Sequence, residues 1–338
     1  MNQQMDKNPD NRQKKILIGS IITVLILLIV LVGTMIYTFS NNVMSNLQVE
    51  AFTPEEVGVE PELEEQFNQY SGKIKNVLLI GIDSDLNKGL PQRSDSMIIV
   101  TIDDQHKTIK MSSLMRDTLV EIDGHGKDKL NHAYAYGGAK LLLKTINQNF
   151  KVNLQDYILV DFDNLINIVD AIGGIDLYIT KDEVKYANIN ISDINKLNKS
   201  NIEKLEPISQ KVHVNGAQAL SYARIRYLDS DYKRAERQRT VLIEIYHKLL
   251  DAPLLDLPNI ALDLSQYAKT SLTQGEIIDI ALKSLGKEMP INGLRFPTEN
   301  TSVESTKGMW HLKWDEEETI KEIHEWIFKD IKPASSDE

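Results

Sequence analysis

Residues 16–39, ILIGSIITVLILLIVLVGTMIYTF, are 24 in a row without a charged side chain, and no other stretch limits the chain's architecture so strongly. As a helix the run would extend roughly 36 Å, enough to cross a hydrocarbon core about 30 Å thick. Lys7, Arg12, Lys14 and Lys15 precede it. Seven glutamates, from Glu50 to Glu65, then come before the next basic residue, Lys73. The positive-inside rule predicts residues 1–15 as a cytoplasmic tail, 16–39 as one membrane helix and the remainder outside the cell. No small-residue cleavage site of the A-x-A kind appears in the following SNNVMSNLQVE, so an uncleaved anchor is expected rather than a signal peptide.

Residues 40–73 are polar and acidic, with Pro54 and Pro61, and read as a spacer. Order is expected from Lys75 onward. The short apolar runs 76–82, 96–102, 108–114, 156–161 and 175–179 read as strands, whereas 138–149, 164–171 and 232–250 carry helical spacing. Their alternation predicts an α/β fold, a layered sheet with helices on both faces, spanning about 74–252. Residues 182–210, rich in Asn, Lys and Ser, read as a long surface excursion. In 253–338, three amphipathic segments (254–264, 274–285, 314–327) and a strand near 293–296 are expected to pack on the same domain. Trp310, Trp314 and Trp326 read as packing residues.

A net charge of −11 argues against a general nucleic-acid binder, and the absence of cysteine excludes disulfides and thiolate metal sites. Against that background, nine arginines among twenty-nine lysines are informative, because five of the nine fall in residues 221–239, SYARIRYLDSDYKRAERQR. Two more, Arg93 and Arg116, sit in RSD and MRD. A planar guanidinium grips phosphate or carboxylate through two parallel hydrogen bonds, which lysine cannot do. Arg234 also falls in the first turn of a helix capped by the Asp229–Asp231 segment, where the helix dipole favours an anion. A bound anion, most simply a phosphate, would resolve that conflict. Asp83 closes the first strand and Asp95 precedes the second. Ligands of open α/β sheets collect outside the carboxyl ends of strands, where Asp83 and Arg116 become neighbours, while Asp95 needs its loop to carry it there. Oxygen ligands of this kind suit Mg²⁺ or Mn²⁺, though ion pairing with Arg93 and Arg116 accounts for both carboxylates equally well. The sequence has no H-E-x-x-H, no G-x-S-x-G and no Walker A motif, which speaks against zinc hydrolase, serine hydrolase and P-loop chemistry. His132 reads as a structural residue, and Gly137–Gly138 is only a weak phosphate-loop cue.

The stretches NVLLIGID, RSDSMIIVTID, MRDTLVEIDGHGKDKLNHAYAYGG, VDFDNLINIVDAIGGIDLYI, VNGAQALSYARIRY and DSDYKRAERQR together resemble the LytR–CpsA–Psr family of cell-wall glycopolymer transferases. They occur in the family's order over residues 76–250, with Met115 where many members have proline. The resemblance implies transfer of a glycopolymer, of the wall teichoic acid or capsular polysaccharide class, from a polyprenyl-pyrophosphate carrier to a peptidoglycan hydroxyl at the outer membrane face. It further implies pyrophosphate-binding and catalytic roles for Arg93, Arg116, Arg224, Arg226 and Arg234, with Gln238 alongside and Asp231 as an acidic site residue. Lys129 matches a lysine of the site region, and Asp83 and Asp95 match Mg²⁺ ligands. Asp83 or Asp231 is the expected base, and Leu242, Ile245 and Leu249 suit either a groove for the lipid chain or ordinary core. Arg237 and Arg239 have no assigned role. The alternatives are a lipid pyrophosphate hydrolase and a membrane-bound regulator without turnover.

Overall fold

The computed structural model describes residues 41–83, 92–253, 256–284, 289–306 and 310–334. Seven segments form one mixed sheet: β1 (Gln48–Val49), β2 (Ile74–Ile82), β3 (Ser94–Asp103), β4 (Thr108–Leu114), β5 (Asp156–Asp161), β6 (Lys269–Thr270) and β7 (Ile291–Phe296), in the spatial order β1-β6-β5-β2-β3-β4-β7. The apolar runs that suggested strands therefore form its centre. β3 runs antiparallel to β2 and β4, while β5 is parallel to β2 and β7 is parallel to β4. Ile82 pairs with both Ser94 and Asp161, and Leu114 pairs with Phe296. One edge of the sheet thus collects the carboxyl ends of β2, β4, β5 and β7 and the amino end of β3. Asp95 reaches that edge as part of β3 itself, without the loop movement expected from sequence.

Nine helices accompany the sheet among the described elements: α1 (Pro61–Phe67), α2 (His132–Phe150), α3 (Phe162–Ala171), α4 (Lys181–Asn198), α5 (Gly216–Ala223), α6 (Asp231–Leu250), α7 (Leu257–Ser265), α8 (Gln274–Ser284) and α9 (Glu316–Lys329). Strand alternation divides the two faces. Leu78, Ile80, Met97 and Ile99 pack against α2 and α9 through Leu142, Ile146, Ile323 and Trp326. Val169 of α3, Val184 and Ile191 of α4, Tyr222 of α5 and Val241 of α6 make a second core. Of these, α3, α5 and α6 face the other side of the sheet, so helices lie on both faces as expected.

Three expectations differ from the structure. Residues 182–210 are not an irregular excursion, since most of them form α4, opened by a capping box between Thr180 and Glu183. The strand at Ile175–Ile179 lies outside the main sheet and pairs with Gln210–Val214 as a separate ribbon. Gly137 and Gly138, by contrast, stand as expected before a helical run: their non-helical backbone kinks α2 and the helix resumes from Ala139 to Phe150. Residues 40–73, read as a spacer, contribute β1 and α1 and bury Val57, Val59 and Phe67 in the first core. The expected membrane helix, 16–39, lies outside the described residues. Among the described residues no helix is long and apolar enough to cross a membrane.

Candidate active site

The site is built where α5 and α6 meet the carboxyl edge of the sheet. Asn215 opens α5 with a capping box, its side chain accepting from Gln218 N while Gln218 returns to the Asn215 amide. The helix ends at Arg224, so Arg224 and Arg226 follow directly from its last turn. Ser230 then caps α6 by accepting from Lys233 N, which sets Asp231 and Arg234 in the first turn.

These side chains converge on a lattice of opposite charges, largely buried at Arg234, Arg116 and Asp95 and open to solvent at Arg224, Arg226 and Asp83. Arg116 Nη1 donates to Asp95 Oδ1 at 2.6 Å, with its Nε 3.2 Å from Asp117 and its Nη2 3.6 Å from Asp231. Arg226 approaches the other Asp95 oxygen at 3.5 Å, and Arg224 lies 3.7 Å from Asp83. Lys129 donates to Asp117 at 2.8 Å. Arg234 Nη2 donates to Asp231 at 3.0 Å; its Nη1 lies 3.0 Å from the other Asp231 oxygen, and Arg116 Nε 3.2 Å from Asp117, without hydrogen-bond geometry, while Arg234 Nε is buried with no hydrogen-bond partner among the described residues. Unmet donors on charged groups are costly, roughly 1–3 kcal/mol each. A bound anion could accept from them.

The electrostatics agree with this geometry. Burial would raise the Asp95 carboxyl, but Arg116, then Arg226 and Arg234, hold it below the ordinary carboxylate range. Burial also opposes the charge on Arg116, and Asp231, Asp95 and Asp117 nevertheless keep its pKa above the usual value. Arg234 is different: burial, followed by the positive charge of Arg116, brings it down to about 10. Arg234 is thus a cation kept in a buried place that its two carboxylate neighbours only partly offset.

An apolar cavity of about 580 Å³ opens beside the cluster, between the sheet and α3, α5 and α6. Leu79, Ile98, Leu165, Leu242, Ile245 and Leu249 are among its walls. Leu242, Ile245 and Leu249, which suited groove or core equally in the sequence, thus face a void. Gln238 and Arg224 line it too, and Gln238 also borders the small pocket formed by Asp95, Arg116, Asp231 and Arg234. Arg224 is further steadied by the Phe162 ring, 4.9 Å from its guanidinium carbon. A larger depression near the carboxyl end of α6 carries mixed charges, including Asp176, Lys211 and Glu244, and none of the predicted site residues.

The LytR_cpsA_psr family model matches residues 35–325. The chain belongs to this family. It is 34% identical over 229 residues to the polyisoprenyl-teichoic acid–peptidoglycan teichoic acid transferase TagU of Enterococcus faecalis, covering 66% of this chain and 70% of that protein. It is 31% identical over 242 residues to the regulatory protein MsrR of Staphylococcus aureus, covering 69% of each. Among solved structures it resembles B. subtilis TagT at a TM-score of 0.60 and 26% identity, over 77% of this chain and 91% of that one. A structure of YwtF (TagT) with bound octaprenyl pyrophosphate lipid matches at a TM-score of 0.57 and 26% identity, over 77% and 90% of the two chains.

Within this LytR_cpsA_psr chain, Arg116, Arg226, Arg234, Asp95 and Asp231 come together directly. Arg224 and Asp83 pair at one side and Lys129 joins at the other. Arg93 is exposed just before β3, close enough to Tyr136 to influence that phenol, whose pKa is raised chiefly by its hydrogen bond to Asp128. Arg237 and Arg239 are structural. Arg237 ties α6 to Glu183 of α4 at 2.8 Å and to Asp229, and Arg239 donates to Ser113 of β4 at 2.7 Å. His132 bonds Asp128 at 2.8 Å, in keeping with a structural role. Asp117 and Phe162 were missed; the MRD triplet was the one sequence signal for Asp117, and Phe162 had none. No group of three or more His, Asp or Glu residues could hold a metal among the described residues. Asp95 has both oxygens engaged, by Arg116 and Arg226, whereas Asp83 is approached by Arg224 only at 3.7 Å.

Proposed function

We propose that this chain transfers a wall-teichoic-acid- or capsule-class glycopolymer from a polyprenyl-pyrophosphate carrier to a peptidoglycan hydroxyl. The observation that carries the reading is the junction of two environments: Arg224 and Gln238 line the apolar cavity and also belong to the arginine cluster. A diphosphate with one long apolar substituent matches that junction, with its charge on the guanidinium groups and its chain in the void. The acceptor hydroxyl attacks the glycosyl-bearing phosphorus, the phosphoanhydride bond breaks, and polyprenyl phosphate leaves as the phosphodiester forms. Arg116, Arg226, Arg234 and Arg93 stabilise charge developing on the phosphoryl oxygens, and Arg224, which lines the cavity, stabilises the leaving phosphate. Gln238 and Lys129 orient the diphosphate. Asp231 has both oxygens 3.0 Å from Arg234, so the more loosely held Asp83 is the better acceptor for the hydroxyl proton. Mg²⁺ or Mn²⁺ on Asp83 and Asp95 would supply further neutralisation of the diphosphate. The apolar run at 16–39 would anchor the chain in the membrane of a Gram-positive-type envelope, with the site outside and next to its lipid-borne donor.

The test incubates the full chain in lipid nanodiscs with a lipid-linked glycan, Mg²⁺ and peptidoglycan oligomers. Polymer joined to the oligomer, with equimolar polyprenyl phosphate, is expected. Polyprenyl phosphate without joined polymer would instead mean a hydrolase, and neither product would favour a binding or regulatory role such as the name of MsrR suggests. Arg226→Ala should lower turnover about a hundredfold, the scale of losing one donor to transition-state charge.

A further inference from the structure

Next to the guanidinium cluster lies a small aromatic surface. The His125 and Tyr136 rings stack with centroids 4.1 Å apart and planes 8° from parallel. Tyr136 is 46% exposed, an aromatic ring left open in the first turns of α2. Its hydroxyl donates to Asp128 at 2.6 Å, and His132 meets the same oxygen at 2.8 Å, so the ring is held at its tip as well as on its face. Lys129, the next residue, lies 5.3 Å from the centre of the Trp310 ring, which is 36% exposed. The same lysine bonds Asp117, which lies 3.2 Å from Arg116. Direct contacts therefore run from these rings to the anion site.

We propose that the His125–Tyr136 stack and Trp310 form a sugar-binding surface that seats the glycan strand of the acceptor. The proposal rests on the transferase reading above. Pyranose rings expose a face of axial C–H bonds that packs on the negative π face of an aromatic ring. Rigid aromatic side chains also lose little conformational freedom on making such contacts. Separate flat rings bordered by Asp128, Lys129 and Arg93 suit a sugar chain with apolar faces and polar edges, where a lipid would need one continuous apolar patch. The location favours the acceptor over the donor. The donor's lipid is directed to the cavity on the Arg224 side, whereas the rings adjoin Arg116 and Lys129. In-line displacement brings the nucleophile in opposite the leaving group, and the proposal assigns that approach to the Arg116 and Lys129 side.

The experiment compares full-length wild type with Tyr136→Leu, Trp310→Leu and Tyr136→Phe in nanodiscs, using a lipid-linked glycan as donor and peptidoglycan oligosaccharide as acceptor. The two leucine variants are expected to raise the acceptor KM about tenfold while the donor KM and kcat change less than threefold. Tyr136→Phe, which keeps the ring, should retain most of the acceptor affinity. An unchanged acceptor KM in folded leucine variants overturns the proposal. A rise in the donor KM instead also overturns it, by assigning the rings to the donor's sugars. In parallel, an N-acetylglucosamine tetramer is titrated into each protein by NMR. Binding that disappears in Trp310→Leu supports the surface even if the wild type joins no polymer, an outcome that would sink the transferase reading alone. Polymer transfer by the wild type with tetramer binding indifferent to all three substitutions leaves the transferase reading standing and removes this one.

Discussion

Arg234 is a cation held where two local forces oppose it. It is only 4% exposed, and it occupies the first turn of α6, where the dipole disfavours positive charge. Asp231 is its one hydrogen-bonded partner there, and Arg116 and Arg226 add repulsion. A base whose folded pKa, about 10, lies below its ordinary value destabilises the fold by an amount fully present at neutral pH and relieved only as pH rises above about 10. At 1.36 kcal/mol per unit the upper bound is about 3 kcal/mol. Arg234→Met should therefore raise Tm by a few degrees at pH 7 while lowering turnover at least about tenfold. Inorganic pyrophosphate should stabilise the wild type and have little effect on the variant, because only the wild type has unmet donors to offer it. A lower Tm in the variant, measured by scanning calorimetry, would show that Arg234 is held by the fold rather than for a ligand.

At the scale of elements, the site depends on how closely α3 and α5 approach. A Cβ at Gly216 would stand 2.1 Å from the Ile166 carbonyl oxygen, which is backbone and cannot swing aside. Gly216→Ala should cost about 3 kcal/mol or more of stability in urea unfolding. It should also depress turnover beyond that loss, since α5 ends at Arg224; normal turnover in folded protein would count against α5 as the element that sets the arginines. Nothing in the sequence marked Gly216, because the close approach exists only once two distant helices cross. The strands β2 to β5 were legible from their apolar runs, and the arginines from their concentration in one window. α4 was missed although its signal was present: Thr180 and Glu183 have capping-box spacing, and Val184, Ala187, Ile191 and Ile194 recur on one face amid polar residues. The buried positions in 40–73, Val43, Val57, Val59 and Phe67, were too sparse to show a period. Asp95 reached the site edge because β3 is antiparallel, and strand direction is a property of the sheet, not of the strand's own residues.

Across the whole molecule, the two faces of the sheet do different work. Side chains of α2 and α9 fill one face, whereas α3, α5 and α6 stand off the other enough to leave about 580 Å³ empty. An unfilled apolar volume gives up packing energy, so sequences retain one at a cost unless something occupies it. Its position beside the arginines links the two: the polar cluster alone would bind any diphosphate, and the cavity adds selection for one with a long hydrocarbon chain, at about 0.8 kcal/mol per buried methylene. Leu242→Trp, which fills part of the void, separates these contributions. Its Tm should hold or rise, its affinity for inorganic pyrophosphate should match the wild type, and its affinity for a polyprenyl diphosphate should fall at least about tenfold. Isothermal titration with both ligands reads the difference. Equal weakening toward both would mean that the substitution had disturbed the arginines, and undiminished polyprenyl binding would remove the cavity from the substrate site.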